Sequence, residues 1–141
     1  MKLSRTVTYA LQATLLLARS GASHPIPCSQ LANEGHMPER FLLQILRSLV
    51  NHGILRSTRG VDGGYSLVRP PEEISLLDVI EAIEGPIDSG IPANEGFSLD
   101  SQTELQNALK QISSSARQQL NQIKMSQLIA MPPGTSEVDQ T

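Results

Sequence analysis

Tryptophan is absent, and the 141 residues hold only two Tyr, two Phe and one Cys. With aromatics at 3%, a core has to be assembled from Leu, Ile, Val and Ala. The single thiol, Cys28, excludes an internal disulfide framework and any Cys-rich zinc or iron–sulfur site built from one chain. It also leaves cysteine-based catalysis with one candidate. Apolar runs such as Leu15 to Ala18 are far shorter than the roughly 20 residues that span a bilayer. The start, Met1-Lys2-Leu3-Ser4-Arg5, lacks the apolar stretch and cleavage site of a secretory signal. The expectation is a cytoplasmic protein with no membrane partner. Its length suits one domain, or one domain with a dimerisation arm.

Catalytic constellations are missing too. Gly60-x-x-Gly63-Gly64 falls inside an expected hairpin and opens no helix, so it is not a phosphate-binding loop. No local Ser/His/Asp arrangement is present, and the chain reads as a non-enzyme. His24, His36, His52 and Cys28 match no ligand spacing on one helix, so no metal and no cofactor is expected.

What the sequence does have is a lopsided charge. Its net −3 combines a basic front and an acidic back. Residues 1–71 carry eight Lys/Arg against three Asp/Glu, a balance of +5; residues 72–141 carry three against eleven, a balance of −8. Between Arg40 and Arg69 there are five arginines and one acid, Asp62. This distribution points to a polyanionic partner for the front half, or to an ordinary solvated surface.

Periodicity organises the front half. Leu3, Val7, Leu11, Thr14/Leu15 and Ala18 share one face of a helix over 3–19, stopped by Gly21 and Pro25. A short helix runs from about Cys28 to Glu34 with Leu31 and Ala32 inward, then a tight turn at 35–37. Pro38 opens a third helix whose buried stripe is Phe41, Leu42, Ile45, Leu46, Leu49 and Val50, closed by Gly53. The period then changes to that of strands over 54–58 and 65–68, joined by a loop with Arg59 at its tip. Ser75-x-x-Asp78 resembles a capping box for a helix bearing Leu76, Val79, Ile80 and Ile83. The fold class is therefore mainly α, a winged helix-turn-helix domain over 1–85 with a two-stranded β-wing.

Residues 86–100 have the composition of a linker loop. Ser101-x-x-Glu104 is read as the capping box of a long C-terminal dimerisation helix over 101–130, and 131–141 as a flexible tail. The helix carries one apolar stripe: Leu105, Leu109, Ile112, Ala116, Leu120 and Ile123. A second copy of the chain is the simplest cover for it. Packing back on the N-terminal helices is the alternative, and the two are compatible.

The third helix opposes its buried stripe with Arg40, Gln44, Arg47 and Asn51, at helical spacing along one face. Arg reads guanine, and Gln or Asn reads adenine, in the major groove of double-stranded DNA. Leu43 at the edge of that face suits a thymine methyl. Arg59 suits a minor groove or a phosphate. Plain solvation is the competing reading of this face; the hairpin arginine and the basic front half weigh against it.

At this point the residues resemble a known family. Met1-Lys2-Leu3-Ser4, Tyr9-Ala10-Leu11, Pro38-Glu39-Arg40-Phe41-Leu42-Leu43-Gln44-Ile45-Leu46, Arg59-Gly60-Val61-Asp62-Gly63-Gly64-Tyr65-Ser66-Leu67 and the stretch from Arg69 to Pro86 are similar, in order and spacing, to the Rrf2 family of bacterial transcription regulators. The resemblance implies a homodimer with cross-packed long helices, reading an inverted-repeat operator. It implies base contacts from Pro38, Arg40, Leu43 and Gln44, a minor-groove contact from Arg59, and phosphate contacts from Ser4, Arg5, Ser29 and Gly60. An acidic residue stands at the position of Leu43 in some members, so the operator of this chain is expected to differ from theirs. Many members hold an iron–sulfur cluster on cysteines in the linker; residues 86–100 contain none, which places the chain with the cluster-free branch. Some members of that branch respond through a small molecule or a protein partner; a repressor with no effector, controlled by its own abundance, is a third possibility for this chain. The most consistent function is a sequence-specific, DNA-binding regulator, expected to repress. The alternative is a winged-helix protein-interaction module that binds no DNA.

Four details complete the reading. Cys28, at a helix N-terminus, is either a redox switch or a small packing residue, and packing is favoured. His52 is expected to cap the third helix at its C-terminus. Phe97 and Leu99 either cover a ligand pocket or anchor the linker on the domain, and anchoring is favoured. Ser113-Ser114-Ser115 allows close helix crossing or is plain surface.

Overall fold

In the computed structural model, which describes residues 2–21, 24–87 and 95–129, the chain begins on a capped helix. Ser4 has extended backbone angles, and its hydroxyl accepts a hydrogen bond from the Val7 amide at 3.2 Å. That satisfies one of the amides a helix start leaves unpaired. Helix α1 (Arg5–Ser20) ends where Gly21 takes a left-handed conformation. Its fully buried face is Val7, Ala10, Ala13, Thr14 and Leu17, not the expected set. Leu3 lies outside the helix at 36% exposure, and Leu11, Leu15 and Ala18 are half-buried. The helices over Glu39–Asn51, Leu76–Glu84 and Met125–Ile129 all press on α1, and the small residues Ala10 and Ala13 allow that approach. Large apolar residues alone therefore misplace its inward side.

Helix α2 (Cys28–Gly35) buries Leu31, Ala32 and Gly35. The turn after it is made by His36, left-handed at φ 53°, and the buried Met37 donates its amide to the Ala32 carbonyl at 2.9 Å. Pro38 stands one position before helix α3 (Glu39–Asn51), as its cap residue. The buried stripe of α3 is Leu42, Ile45, Leu46 and Leu49. The reading of Phe41 and Val50 as buried is corrected: Phe41 is 61% exposed and Val50 half-buried. Each lies about 40° beyond the edge of the stripe, Phe41 past Ile45 and Val50 past Leu46, where cover gives out.

Strands β1 (Leu55–Thr58) and β2 (Gly64–Leu67) pair antiparallel, Leu55 opposite Leu67 and Thr58 opposite Gly64. The wing is held to the rest by a third backbone strip. The Ile26 amide donates to the Tyr65 carbonyl (2.9 Å), and the Tyr65 amide to the Ile26 carbonyl (2.8 Å). A side chain on Gly64 would collide with the Ile26 and Pro27 backbone, so this approach requires glycine. A 3₁₀ turn (Pro71–Glu73) leads to Ser75 and helix α4 (Leu76–Glu84). The capping box there is complete: the Asp78 amide donates to Ser75 Oγ (3.0 Å) and the Ser75 amide to Asp78 Oδ2 (2.9 Å).

The C-terminal half departs most from expectation. Helix α5 (Leu99–Gln122) starts two residues earlier than read, and Ser98 supplies the cap by accepting from the Ser101 amide. It does not continue to residue 130. At Ile123 the chain turns extended and pairs with the strip before α4: the Leu76 amide donates to the Ile123 carbonyl, and the Met125 amide to the Ile74 carbonyl, both at 2.8 Å. A five-residue helix, α6 (Met125–Ile129), follows. Met125 is fully buried in the core that also holds Leu31, Leu42, Leu46, Leu49, Ile54, Leu55 and Ile74. Of the linker, residues 88–94 lie outside the described part, as does the expected tail. Phe97 (42% exposed) and Leu99 (80%) do not anchor it.

Replacing Met125 by Ala should cost ~2–5 kcal/mol, the range for emptying a fully buried long side chain. Phe41→Ala should stay within about 0.5 kcal/mol of wild type, as an exposed position does. Urea unfolding followed by circular dichroism measures both, and it separates the observed core from the one periodicity alone predicts.

Candidate nucleic-acid interface

The solvent face of α3 carries Arg40, Gln44, Arg47 and Asn51, all exposed, in line with their helical spacing. Leu43 is half-buried at the edge of that face. Across from it stands the wing. Its tip is a turn in which the Gly63 amide donates to the Gly60 carbonyl at 3.0 Å and Gly60 takes φ 113°, a conformation that favours glycine. Arg59 enters this turn, exposed, and Val61 at its apex is fully exposed.

Helix and wing are not separate surfaces. They form two walls of a cleft of about 280 Å³ lined by Leu43, Arg47, Val50, Asn51, Ser57, Arg59 and Tyr65. The bond pair between Tyr65 and Ile26 ties the wing to the segment just before α2, the helix that packs on α3. Ser57 and Tyr65 were not legible as site residues. Ser57 is one more exposed hydroxyl on a strand, and Tyr65 reads as an apolar strand residue until the wing is docked.

The electrostatics divide the cations into two groups. Among the described residues, Arg5, Arg40, Arg47 and Arg59 have neither an ion pair nor a hydrogen-bond partner. Arg69, by contrast, lies 3.6 Å from Asp78 and donates to the Glu73 carbonyl at 3.0 Å, so it ties the wing's end to α4. It belongs to the scaffold rather than to the basic surface.

The remaining residues expected at the interface are spread along one side. Arg5 is exposed at the start of α1 and, with Gln44, lines a second groove, of about 540 Å³, walled by Tyr9, Phe41, Ile45 and Ile83. The Ser4 hydroxyl is already engaged as the α1 cap acceptor, leaving only its own O–H to offer a ligand. Ser29 is exposed in the first turn of α2, and Pro38 is exposed at the start of α3.

The long-helix stripe is divided. Leu105 and Ile112 are 37% and 65% exposed, and Leu109 and Ala116 half-buried, so this stretch faces outward. Leu120 is buried against Val7, Leu77 and Ile80 of its own chain, and Ile123 sits in the backbone pairing described above. The end of the helix thus packs on its own domain, the second of the two covers that the stripe allowed.

Cys28 packs under the start of α3, its thiol donating to the Glu39 carbonyl at 3.8 Å. Burial, and secondly the Glu39 charge, push its pKa up. The helix N-terminus does not prevail, and the thiol behaves as a packing group. His52 Nδ1 lies 2.9 Å from the Ser48 carbonyl, consistent with its expected capping position. Among the described residues no three His, Cys, Asp or Glu come together as a metal site, and no helix is long and apolar enough to cross a membrane.

Known proteins share this fold. The family described as Rrf2, iron-dependent transcriptional regulator, matches residues 3–131. The chain is 34% identical over 87 residues to the HTH-type transcriptional regulator CymR of Bacillus subtilis, a match over 62% of this chain and 63% of that protein. It is 38% identical over 89 residues to a Mycobacterium tuberculosis protein named for the same regulator class, covering 55% of that protein. The chain therefore spans little more than half the length of the curated relatives it matches. Among solved structures, CymR of B. subtilis, described as a global cysteine regulator, superposes with a TM-score of 0.73 at 26% identity, over 92% of this chain and 97% of that one. The oxidised form of Staphylococcus aureus CymR gives 0.70 at 29%, over 94% and 98%.

Since burial and Glu39 both favour the neutral thiol, Cys28 should alkylate with iodoacetamide more slowly at neutral pH than a free cysteine does. Its rate should climb only as the pH is raised into the alkaline range. Glu39→Gln should bring a modest acceleration. A time course read by mass spectrometry checks all three.

Proposed function

The chain belongs to the Rrf2 family of transcriptional regulators, and from that premise we propose that it is a homodimeric, sequence-specific DNA-binding repressor acting on an inverted-repeat operator. One observation carries this reading. Cations without partners stand on both walls of a single cleft, Arg47 on α3 and Arg59 on the wing, with Arg40 exposed two turns earlier on the same face of α3, while the other described arginine near the wing's end, Arg69, is tied up structurally. A helix of this kind fits the major groove, and the wing then meets the adjacent minor groove. The phosphodiester strand between the two grooves passes over the cleft, where Ser57, Asn51 and Tyr65 offer polar groups to it.

In this reading Arg40 and Gln44 choose sequence, with Leu43 and Pro38 supplying apolar contact to base edges. Arg59 and Gly60 serve the wing contact; Arg5, Ser29, and Ser4 through its remaining O–H, meet phosphates. Dimerisation uses the outward stretch of α5, Leu105, Leu109, Ile112 and Ala116, of which Leu105 and Ile112 are exposed and Leu109 and Ala116 only half-covered in the single chain. A dimer lying across promoter DNA represses by occupancy. A small molecule or a protein is the class of effector proposed for it.

The family description names iron. An iron–sulfur cluster is held chiefly by thiolates, and the sequence has one cysteine, half-buried under α3 with its thiol held protonated. The residues present do not fit such a group, and the function is proposed without one. One feature favours a protein-interaction module instead: Phe41, 61% exposed on the rim of the α1–α3 groove.

Fluorescence anisotropy with an operator selected from genomic fragments, against a scrambled duplex, decides between them. Arg40→Ala should cost ~1–3 kcal/mol and relax preference at one position of each half-site. Arg59→Ala should weaken binding broadly if it meets phosphate, or at A·T-rich sites selectively if it enters a narrow minor groove. Affinity should fall with added salt. Equal, salt-insensitive binding by all three proteins would leave the interaction module. Independently, Leu109→Asp with Ile112→Asp should convert a light-scattering dimer to monomers or insoluble chains while leaving the Leu120 packing intact.

A further inference from the structure

Helix α5 is fastened to its own domain at two heights, and the upper fastening is an ion pair. The lower one is the backbone pairing of Ile123 and Met125 with Leu76 and Ile74. By itself this is a hinge, since a helix joined at one end by two hydrogen bonds can swing about it. Leu120, one turn higher, packs on Val7, Leu77 and Ile80, a contact without direction. Another turn up, Arg117 pairs with Glu81 of α4. The same Glu81 oxygen accepts the Ile87 amide at 2.9 Å, so one carboxylate holds α4, the first stretch of the linker and α5 together. The Glu81 side chain is only 22% exposed and that of Arg117 41%. Glu81 and Arg117 play no part in the proposed DNA surface.

The geometry points to Glu81 and Arg117 as the residues that set the direction of the dimerisation helix, and through it the distance between the two recognition helices. This rests on the reading of the chain as a DNA-binding dimer joined through α5. Leverage gives the pair its consequence. From Ile123 to Leu105 the helix is roughly 27 Å long at about 1.5 Å per residue. A swing of about 10° around the lower fastening would shift that end by some 5 Å, compared with the ~3.4 Å rise of one base pair. An inverted repeat is read only when its half-sites match the separation of the two α3 helices. A fixed α5 therefore makes spacer length part of the operator, and a loosened α5 lets neighbouring spacers bind. Glu81 and Arg117 are positioning residues, and their signature is tolerance of spacing rather than loss of affinity.

The test uses the full chain, the selected operator and a series of duplexes whose half-sites are moved apart or together by one or two base pairs. Wild type should lose affinity about tenfold or more for a one-base-pair change. Arg117→Met keeps the aliphatic stem and removes the charge. It should remain a dimer by light scattering, bind the best operator nearly as well, and spread its affinity to less than about threefold across adjacent spacers. Arg117→Lys should restore the sharp profile in large part. Glu81→Gln, which still accepts the Ile87 amide, should broaden it as Arg117→Met does. A profile as sharp as wild type in both charge-removing variants overturns the inference, and so does loss of the dimer in them, which would make the pair a folding element. A wild-type chain that is monomeric, or blind to every genomic fragment, sinks the DNA-reading proposal first, before any spacer is compared.

Discussion

Two backbone hydrogen bonds, from Leu76 to Ile123 and from Met125 to Ile74, close this fold. With no tryptophan and few aromatics, the helical front half has to fill its centre with aliphatic side chains. The last volume is supplied from the far end of the chain. The return strip brings Met125, fully buried, into contact with the same cluster as Leu42, Leu46 and Ile74. A flexible thioether suits that place, since it fills an irregular gap without demanding a shape of its own. The long helix is thus not an appendage. Its end is part of the core, and its direction is inherited from that core.

The same economy of backbone pairing governs the front. Ile26 and Tyr65 exchange two hydrogen bonds, turning the hairpin into the outer part of a small sheet edge beside the helix-turn-helix. Without it a two-stranded wing would be marginal by itself. With it, Arg59 and Arg47 face a common cleft. Scaffold and surface also divide the charges: Arg69, Arg117, Asp78 and Glu81 are spent on one another, while Arg5, Arg40, Arg47 and Arg59 are left to solvent. The chain's acidic total is no obstacle to a polyanion, because the excess acids follow residue 71.

Much of this was readable from local pattern. The α3 polar face, the Ser75–Asp78 box, the hairpin and the glycine turns depend on neighbours within a few positions, where spacing and stereochemistry act directly. Charge asymmetry and the lone cysteine needed only counting. So did the exclusion of a disulfide framework. The residues proposed to face DNA came from the face opposite a strong apolar stripe, and α3 presents that face to solvent.

What local pattern misjudged shares one cause: each case turns on what covers a surface, and cover comes from elsewhere in the chain. The inward side of α1 is decided by the helices that pack on it, and Phe41, one wall of a groove shared with Tyr9 and Ile83, keeps 61% of its surface in solvent. Leu120 looked like the continuation of the apolar stripe because it follows Ala116 at a four-residue step; the docking of α5 on α1 and α4 is what covers it. Helix propensity carried the reading straight through Ile123, where two long-range hydrogen bonds outweigh it. Periodicity tells which residues seek burial, while the partner that buries them is chosen by packing across many tens of residues.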